Sequence, residues 1–144
     1  MNNLERFISV QQFTYNSALK EIREGEKKSH WMWFIFPQII GLGESDNAIY
    51  YGILGVEEAS QYLNHEVLGK RLREITNELL KLKTNDPEKV FGEIDAMKLK
   101  SSMTLFDYIE ENSIFEEVLN KYFNGQRDEL TLEKIGKLKH ISTR

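Results

Sequence analysis

The sequence predicts an all-α protein: a single compact multi-helical domain of about seven to eight short-to-medium helices over residues 1–144. Apolar residues recur at helical spacings of three and four along the whole chain, and capping residues and glycines separate these stretches. No stretch shows the strict alternation of a β-strand next to a hairpin turn. An apolar content of 40%, with 8 Phe, 6 Tyr and 2 Trp, provides enough buried surface for one core.

The first half of the chain predicts one long helical region followed by short helices. The opening region, expected in two pieces, ends at Gly25. A short helix is expected from Ser29 to Phe36, since Pro37 has no N–H to donate to a continuing helix. The next signals are the glycine loop at 41–43, Ser45 or Asp46 as a helix cap, and Gly55 as a separator.

The second half predicts longer helices. The best amphipathic pattern runs from Glu66 to Lys83, with apolar residues at spacings of three and four. Asp86 before Pro87 predicts a cap and the first position of a helix. Gly92 is expected to end that turn, and a longer helix is expected over about 95–110. Ser113 with Glu116 fits a capping box, which predicts a helix that stops near Gly125. A last helix is expected over 131–139.

Composition excludes several classes of chemistry. Without cysteine there is no disulfide, thiolate zinc site, iron–sulfur cluster or cysteine nucleophile, and the three histidines lack metal-ligand spacing, so no metal or cofactor is predicted. Glu5 and Arg6 interrupt any signal peptide, and the longest apolar run is about half a membrane span, so we expect a cytoplasmic protein without a membrane segment. A net charge of −4 makes nucleic acid an unlikely partner.

Two segments carry a resemblance to a known family: residues 28–38 read KSHWMWFIFPQ and residues 98–106 read KLKSSMTLF. The further matching positions are Gly43, Ser45, 68–72 and 123–125. Over nearly the whole chain they resemble the bacterial domain-of-unknown-function 1810 family. The resemblance implies a compact multi-helical cytosolic domain with no established activity. Some relatives are called calpastatin-like, but that kind of inhibitor is a flexible chain, whereas this chain is apolar enough to fold alone.

Within the 28–38 segment, His30 and Gln38 are polar residues among aromatic ones. On a helix His30, Trp33 and Phe34 share a face, so we expect a partly buried, neutral imidazole that could act as a general base. Alternatively, the imidazole only bonds a backbone carbonyl while the tryptophans fill the core. The Gln38 amide could bond carbonyls freed at the helix end or contact a ligand.

The 98–106 segment places ammonium groups beside hydroxyl groups. Lys98 and Lys100 supply charge, and Ser101, Ser102 and Thr104 supply hydroxyls that can direct hydrogen bonds, a combination suited to a phosphate or carboxylate. Alternatively, the hydroxyls bond backbone carbonyls one turn back, where two helices approach closely.

These two segments set unusual polar residues within strongly apolar surroundings, which is the composition of a ligand pocket. We therefore expect a small anionic or nucleotide-like ligand between them, with His30 and Ser101 in one site. The predicted ligand-binding residues are His30, Trp33, Gln38, Lys98, Lys100, Ser101, Ser102 and Thr104. A catalytic residue is not identified beyond the candidate His30, and whether the protein is an enzyme stays open. The alternative is a helical protein–protein interaction module without catalytic activity, whose aromatic segment docks on a protein partner.

Overall fold

The computed structural model describes residues 3–142, with side chains up to residue 136. This part of the chain forms eight α-helices and no β-strand, so the predicted all-α class is confirmed, and only Ile39 and Ile53 pair as an isolated bridge. None of these helices is long and apolar enough to cross a bilayer. In order they are α1 Glu5–Glu24, α2 Met32–Ile35, α3 Asp46–Tyr50, α4 Val56–Asn64, α5 Leu68–Lys81, α6 Pro87–Ile109, α7 Ile114–Phe123 and α8 Glu129–Ser142.

A row of aromatic rings runs through the hydrophobic core and joins four helices. Phe7 of α1 meets Tyr62 of α4 edge-on with ring centroids 5.1 Å apart. Tyr62 lies 5.6 Å from Phe106 of α6, which lies 5.7 Å from Phe115 of α7. Each of these rings is almost completely buried. Because aromatic side chains bury the largest areas, this row contributes much of the stability of the core.

Most predicted helix ends are confirmed. Ser45 caps α3 and Asp86 caps α6, each with a side-chain oxygen that accepts a backbone N–H of the first turn. Pro87 occupies the first turn of α6. The C-cap of α1 is Gly25, in the left-handed conformation. These helix ends can be predicted from the sequence because a cap depends on residues within a single helical turn.

The first helix is continuous, so its predicted division into two pieces is wrong. The apolar stripe of α1 is interrupted by Gln11, which is 2% exposed. Its Nε2 donates to the carbonyl of Phe34 at 2.8 Å and to the hydroxyl of Tyr62 at 3.0 Å. A polar residue therefore occupies a core position because distant residues satisfy its hydrogen bonds.

One further local prediction is confirmed and one needs correction. Gly92 ends the first turn of α6, since its φ of 81° and ψ of 167° are not helical, and a longer helical stretch then continues to Ile109. Ser113 caps α7, but Glu116 does not complete a capping box in the described structure. The Glu116 carboxylate instead accepts from Arg127 at 3.1 Å.

Helices α4 and α5 meet at an unusually close backbone contact. A Cβ atom placed on Gly69 would lie 2.0 Å from the carbonyl oxygen of Leu63. The chain turns between the two helices at His65, whose Nδ1 accepts from the backbone N–H groups of Val67 at 3.1 Å and Leu68 at 3.2 Å. The turn is therefore compatible only with a residue that has no side chain at position 69.

Candidate functional site

A single carboxylate organises the beginning of the 28–38 segment. Glu21, on α1, accepts from the backbone N–H groups of Lys28 at 2.7 Å and Ser29 at 2.9 Å, from the Ser29 hydroxyl at 2.6 Å and from the Trp31 indole at 2.9 Å. Burial alone would raise the pKa of Glu21, but these hydrogen bonds to the charged form outweigh burial and lower the pKa to about 2. Because Ser29 is held by Glu21, it does not cap α2, which begins later than predicted.

His30 lies at the exposed tip of this loop, so its predicted partial burial is wrong. Since α2 begins after His30, the residue does not share a helical face with Trp33 and Phe34. Within residues 3–136 the imidazole makes no hydrogen bond, neither to a backbone carbonyl nor to a group that would orient it as a base.

Most of the aromatic segment belongs to the core. Trp31 is 1% exposed, and its ring lies 6.1 Å from that of Phe36 and 6.4 Å from that of Phe91. Trp33 differs, because it is only partly buried. Trp33 is therefore the tryptophan that a ligand or partner can reach.

The two segments meet at Trp33. The Lys98 ammonium group, from α6, lies 4.6 Å from the centroid of the Trp33 ring, which is cation–π distance. The same ammonium group is 3.5 Å from Asp95, whose carboxylate also binds Lys27 at 2.8 Å. The Asp95 carboxylate is therefore the shared counter-charge of the Lys27 and Lys98 ammonium groups beside the indole.

The hydroxyl groups of Ser101 and Thr104 face a different helix. Ser101 Oγ lies 3.2 Å from the Met97 carbonyl oxygen and 3.2 Å from Asp128 Oδ2. Thr104 Oγ1 donates to the Lys100 carbonyl at 2.8 Å and accepts from the Asp128 N–H at 2.9 Å. These contacts, which include bonds one turn back, hold the beginning of α8.

The side chains of the two remaining predicted residues of α6 have no polar partners among residues 3–136. Ser102 is fully buried, and its hydroxyl makes no hydrogen bond there. The half-buried Lys100 forms no ion pair in this part of the chain. No described contact joins His30 to Ser101, so a site that contains both residues stays a prediction.

A crevice opens beside Trp33, between the end of α2 and α3. Two of its lining residues, Gln38 and Ile39, belong to the segment that pairs with Ile53, whose N–H donates to the Gln38 carbonyl at 2.8 Å and whose carbonyl accepts from the Ile40 N–H at 2.8 Å. The volume in which the centre of a water molecule fits is only about 10 Å³. The crevice therefore admits a single water-sized group. The lining residues are Trp33, Gln38, Ile39, Leu42, Gly43, Asn47, Ala48, Tyr51 and Gly52.

Several polar side chains of this crevice have no partner among the residues that the structure describes. The indole N–H of Trp33, the carboxamides of Gln38 and Asn47, and the hydroxyl of Tyr51 make no hydrogen bond to any residue in the range 3–136. Burial and, to a smaller extent, the neighbouring Tyr50 raise the pKa of the Tyr51 hydroxyl, which therefore stays protonated and can donate. The crevice thus presents both donors and acceptors to whatever enters it.

Sequence reasoning missed Asn47 and Tyr51. They are four residues apart and both reach the crevice, which is the helical spacing that places two residues on one face. Ile49 and Tyr50, the two large apolar residues of this helix, do not mark its packed side, because they are 54% and 57% exposed. A five-residue helix is oriented by its flanking loops more than by its own apolar residues.

A buried ion pair fixes the far wall of the crevice. Arg6 and Glu58 are 8% and 3% exposed, and their side chains are 2.7 Å apart. Arg6 also donates to the carbonyls of Tyr50 and Gly52, each at 2.9 Å, and Glu58 accepts from the Leu54 N–H at 3.1 Å. The segment between α3 and α4 is therefore held in place by hydrogen bonds to a buried arginine and glutamate that form an ion pair with each other.

Two wider surface depressions exist, but their arginines are already neutralised. One lies above Arg6, which binds Glu58, and the other contains Arg127, which is 3.0 Å from Asp107 and 3.1 Å from Glu116. The residues that the structure describes contain no group of three histidine, aspartate or glutamate side chains that could hold a metal ion. The crevice beside Trp33 is therefore the better candidate site.

The helical fold and the two segments define the class of protein: the chain belongs to the family described as "Protein of unknown function (DUF1810)", whose model matches residues 1–135. The chain is similar to the conserved hypothetical protein Rv1873 from Mycobacterium tuberculosis, known from a crystal structure at 1.38 Å. The identity is 43%, the TM-score is 0.90, and the match covers 92% of this chain and 96% of the other. No curated protein matches the chain. The family resemblance of the two segments is confirmed, and it brings no activity with it.

Proposed function

We propose that this protein binds a small anionic ligand with a planar polar group at the crevice beside Trp33. The supporting observation is the polar lining: Trp33, Gln38, Asn47 and Tyr51 offer hydrogen-bonding groups that no described residue satisfies. Trp33, Gln38 and Tyr51 are only partly buried and Asn47 is exposed, so a ligand can reach these groups. A planar amide or the edge of a heterocycle has the alternating donors and acceptors that carboxamides bind.

The positive charge beside the crevice favours an anionic ligand. The Lys98 ammonium group is 3.5 Å from Asp95, while Lys27 holds the same carboxylate at 2.8 Å. Lys98 therefore shares its counter-charge with Lys27, and its ammonium group lies over the ring of Trp33, which lines the crevice. A nucleotide-like molecule combines the required planar polar group with the required negative charge.

The size of the crevice limits how the ligand is bound. Because the interior admits only one water-sized group, only the polar edge of a ligand enters it. The rest of the ligand lies across the mouth, against the accessible part of Trp33. Ring stacking on the indole is then as important as hydrogen bonding inside the crevice.

A thermal-shift panel of AMP, ADP, NAD⁺ and citrate tests the proposal. A ligand at 100 times its dissociation constant adds about 2.7 kcal/mol of stability, which for 144 residues corresponds to a rise in Tm of roughly 9 °C. Gln38→Leu and Lys98→Met should each weaken binding tenfold or more. Lys89→Met is the control, since Lys89 is an exposed lysine of the same helix without an ion pair among residues 3–136. Unchanged binding in both site variants, or no response to the panel, would contradict the proposal.

A helical interaction module is the second candidate function. It is supported by three apolar residues within six positions, Ile49, Tyr50 and Leu54, which are each at least half exposed. This function replaces ligand binding if no compound of the panel stabilises the protein and a stoichiometric protein partner is retained by the wild type but lost by Ile49→Asp.

A further inference from the structure

The side chain of Lys134, on α8, lies across the glycine loop next to the crevice. A Cβ atom placed on Gly41 would be 3.3 Å from Cε and 3.5 Å from Nζ of Lys134. Gly41 has a φ of +99°, a conformation that other residues rarely adopt. The next two residues, Leu42 and Gly43, line the crevice. The absence of a side chain at position 41 therefore leaves room for the Lys134 ammonium group at the edge of the candidate site.

Lys134 has no acidic partner in the part of the chain that the structure describes. By contrast, Lys27 and Lys81 each lie 2.8 Å from a carboxylate oxygen. The acidic residues of the nearby loop, Glu44 and Asp46, are exposed and form no ion pair with Lys134. Lys134 is partly buried, and its ammonium group has no counter-charge among the described residues. An anion from outside would supply that counter-charge.

A second ammonium group approaches the same crevice from another helix. Lys98 contacts Trp33, which lines the crevice, and shares Asp95 with Lys27. The lining of the crevice is thus in contact with Lys98 from α6, while Lys134 from α8 contacts the adjoining glycine loop. Two lysines with little local compensation suit a group of nearly two negative charges better than a monoanion.

We infer that Lys134 is an anion-binding residue, and that the ligand carries a phosphoryl group held between Lys134 and Lys98 at the loop Gly41–Gly43. The inference rests on the proposed function, to which it adds the charged part of the ligand and a residue that recognises it. Lys134 lies 36 positions after Lys98 in the sequence, on a helix that packs against α6.

The test is a titration of the whole ¹⁵N-labelled protein with inorganic phosphate at constant ionic strength, followed by the amide signals of Gly41, Leu42 and Gly43. Acetate is the monoanionic comparison. Phosphate should shift these signals saturably and with at least tenfold higher affinity than acetate. Lys134→Met and Lys98→Met should each lower the phosphate affinity tenfold or more, whereas the exposed-lysine control Lys89→Met should not. Lys134→Gln replaces Lys134→Met if the latter does not give the spectrum of a folded protein.

Unmoved loop amides, an equal response to acetate, or unchanged phosphate affinity in the Lys134 variants would overturn the inference. The experiments distinguish failure of this phosphoryl site from failure of the proposed function. If AMP binds in a manner that depends on Gln38 while phosphate leaves the loop unaffected, only the phosphoryl site is wrong. If phosphate binds through Lys134 and no organic ligand binds, the anion site stands and the crevice is not a ligand site.

Discussion

Replacing Gly69 by alanine separates helix propensity from tertiary contact. Helix propensity predicts that the variant is more stable than the wild type, whereas the tertiary contact predicts that it is less stable. Gly69 lies in the first turn of α5, where alanine is favoured over glycine by up to about 1 kcal/mol. The alanine Cβ would lie 2.0 Å from the Leu63 carbonyl oxygen and 2.9 Å from the carbonyl carbon. These are backbone atoms at the end of α4, so no side chain can rotate to relieve the clash.

The loss of stability can be estimated from the distance by which the two helices must move apart to remove the clash. A carbon and an oxygen need about 3.2 Å or more, so α4 and α5 must separate locally by over about 1 Å, and overpacking of this kind costs typically 1–3 kcal/mol and sometimes more. With a cost at the upper end of that range and the gain in propensity subtracted, the variant should lose about 2 kcal/mol. For 144 residues that corresponds to a decrease in Tm of roughly 7 °C.

The assay is thermal unfolding followed by circular dichroism, with Gly136→Ala as the matched control. Gly136 is a glycine within α8 whose Cβ would meet no atom of the described residues within 4 Å. This control should gain up to about 1 kcal/mol, or roughly 3 °C in Tm, since only propensity acts. A Gly69→Ala variant that melts at or above the wild-type temperature would refute the close approach of the two helices.

Two further predictions concern charged groups that hold the chain in place. Because the folded-state pKa of Glu21 is lowered from 4.5 to about 2, ionised Glu21 stabilises the fold above pH 4.5, and this contribution is lost as the pH falls towards 2. The Tm of the wild type should therefore fall more steeply over that range than that of Glu21→Gln, and parallel curves would argue against the role of Glu21 in holding the loop. Removing one partner of the Arg6–Glu58 pair, as in Arg6→Met, leaves a buried charge unpaired and should cost about 3–5 kcal/mol in urea unfolding. Arg6→Met with Glu58→Gln should cost less than the sum of the single changes, and strictly additive losses would contradict the coupling.

Local chemistry along the chain predicted the fold class and most helix ends. Gly25, Ser45 and Asp86 cap helices where the sequence places them, because a cap is satisfied within one helical turn. The two motif segments were also sufficient to identify the family.

The roles of individual polar groups depended on distant residues. The hydroxyls of Ser101 and Thr104 could bond either a ligand or the backbone, and the position of Asp128, just before α8, directs them to the protein itself. His30 is exposed because Glu21 holds Ser29 in a loop. None of these partners lies within one helical turn of the residue it affects.

By itself, the sequence determined that the chain forms helices, where most of them begin and end, and that Trp33, Gln38 and Lys98 are unusual polar or aromatic residues. Only the tertiary structure decided that Asn47 and Tyr51 complete a crevice beside Trp33, and that Lys134 reaches its edge. The physical reason is that helix periodicity and capping are short-range effects, whereas the meeting of α2, α3, α6 and α8 depends on how the whole apolar surface is buried.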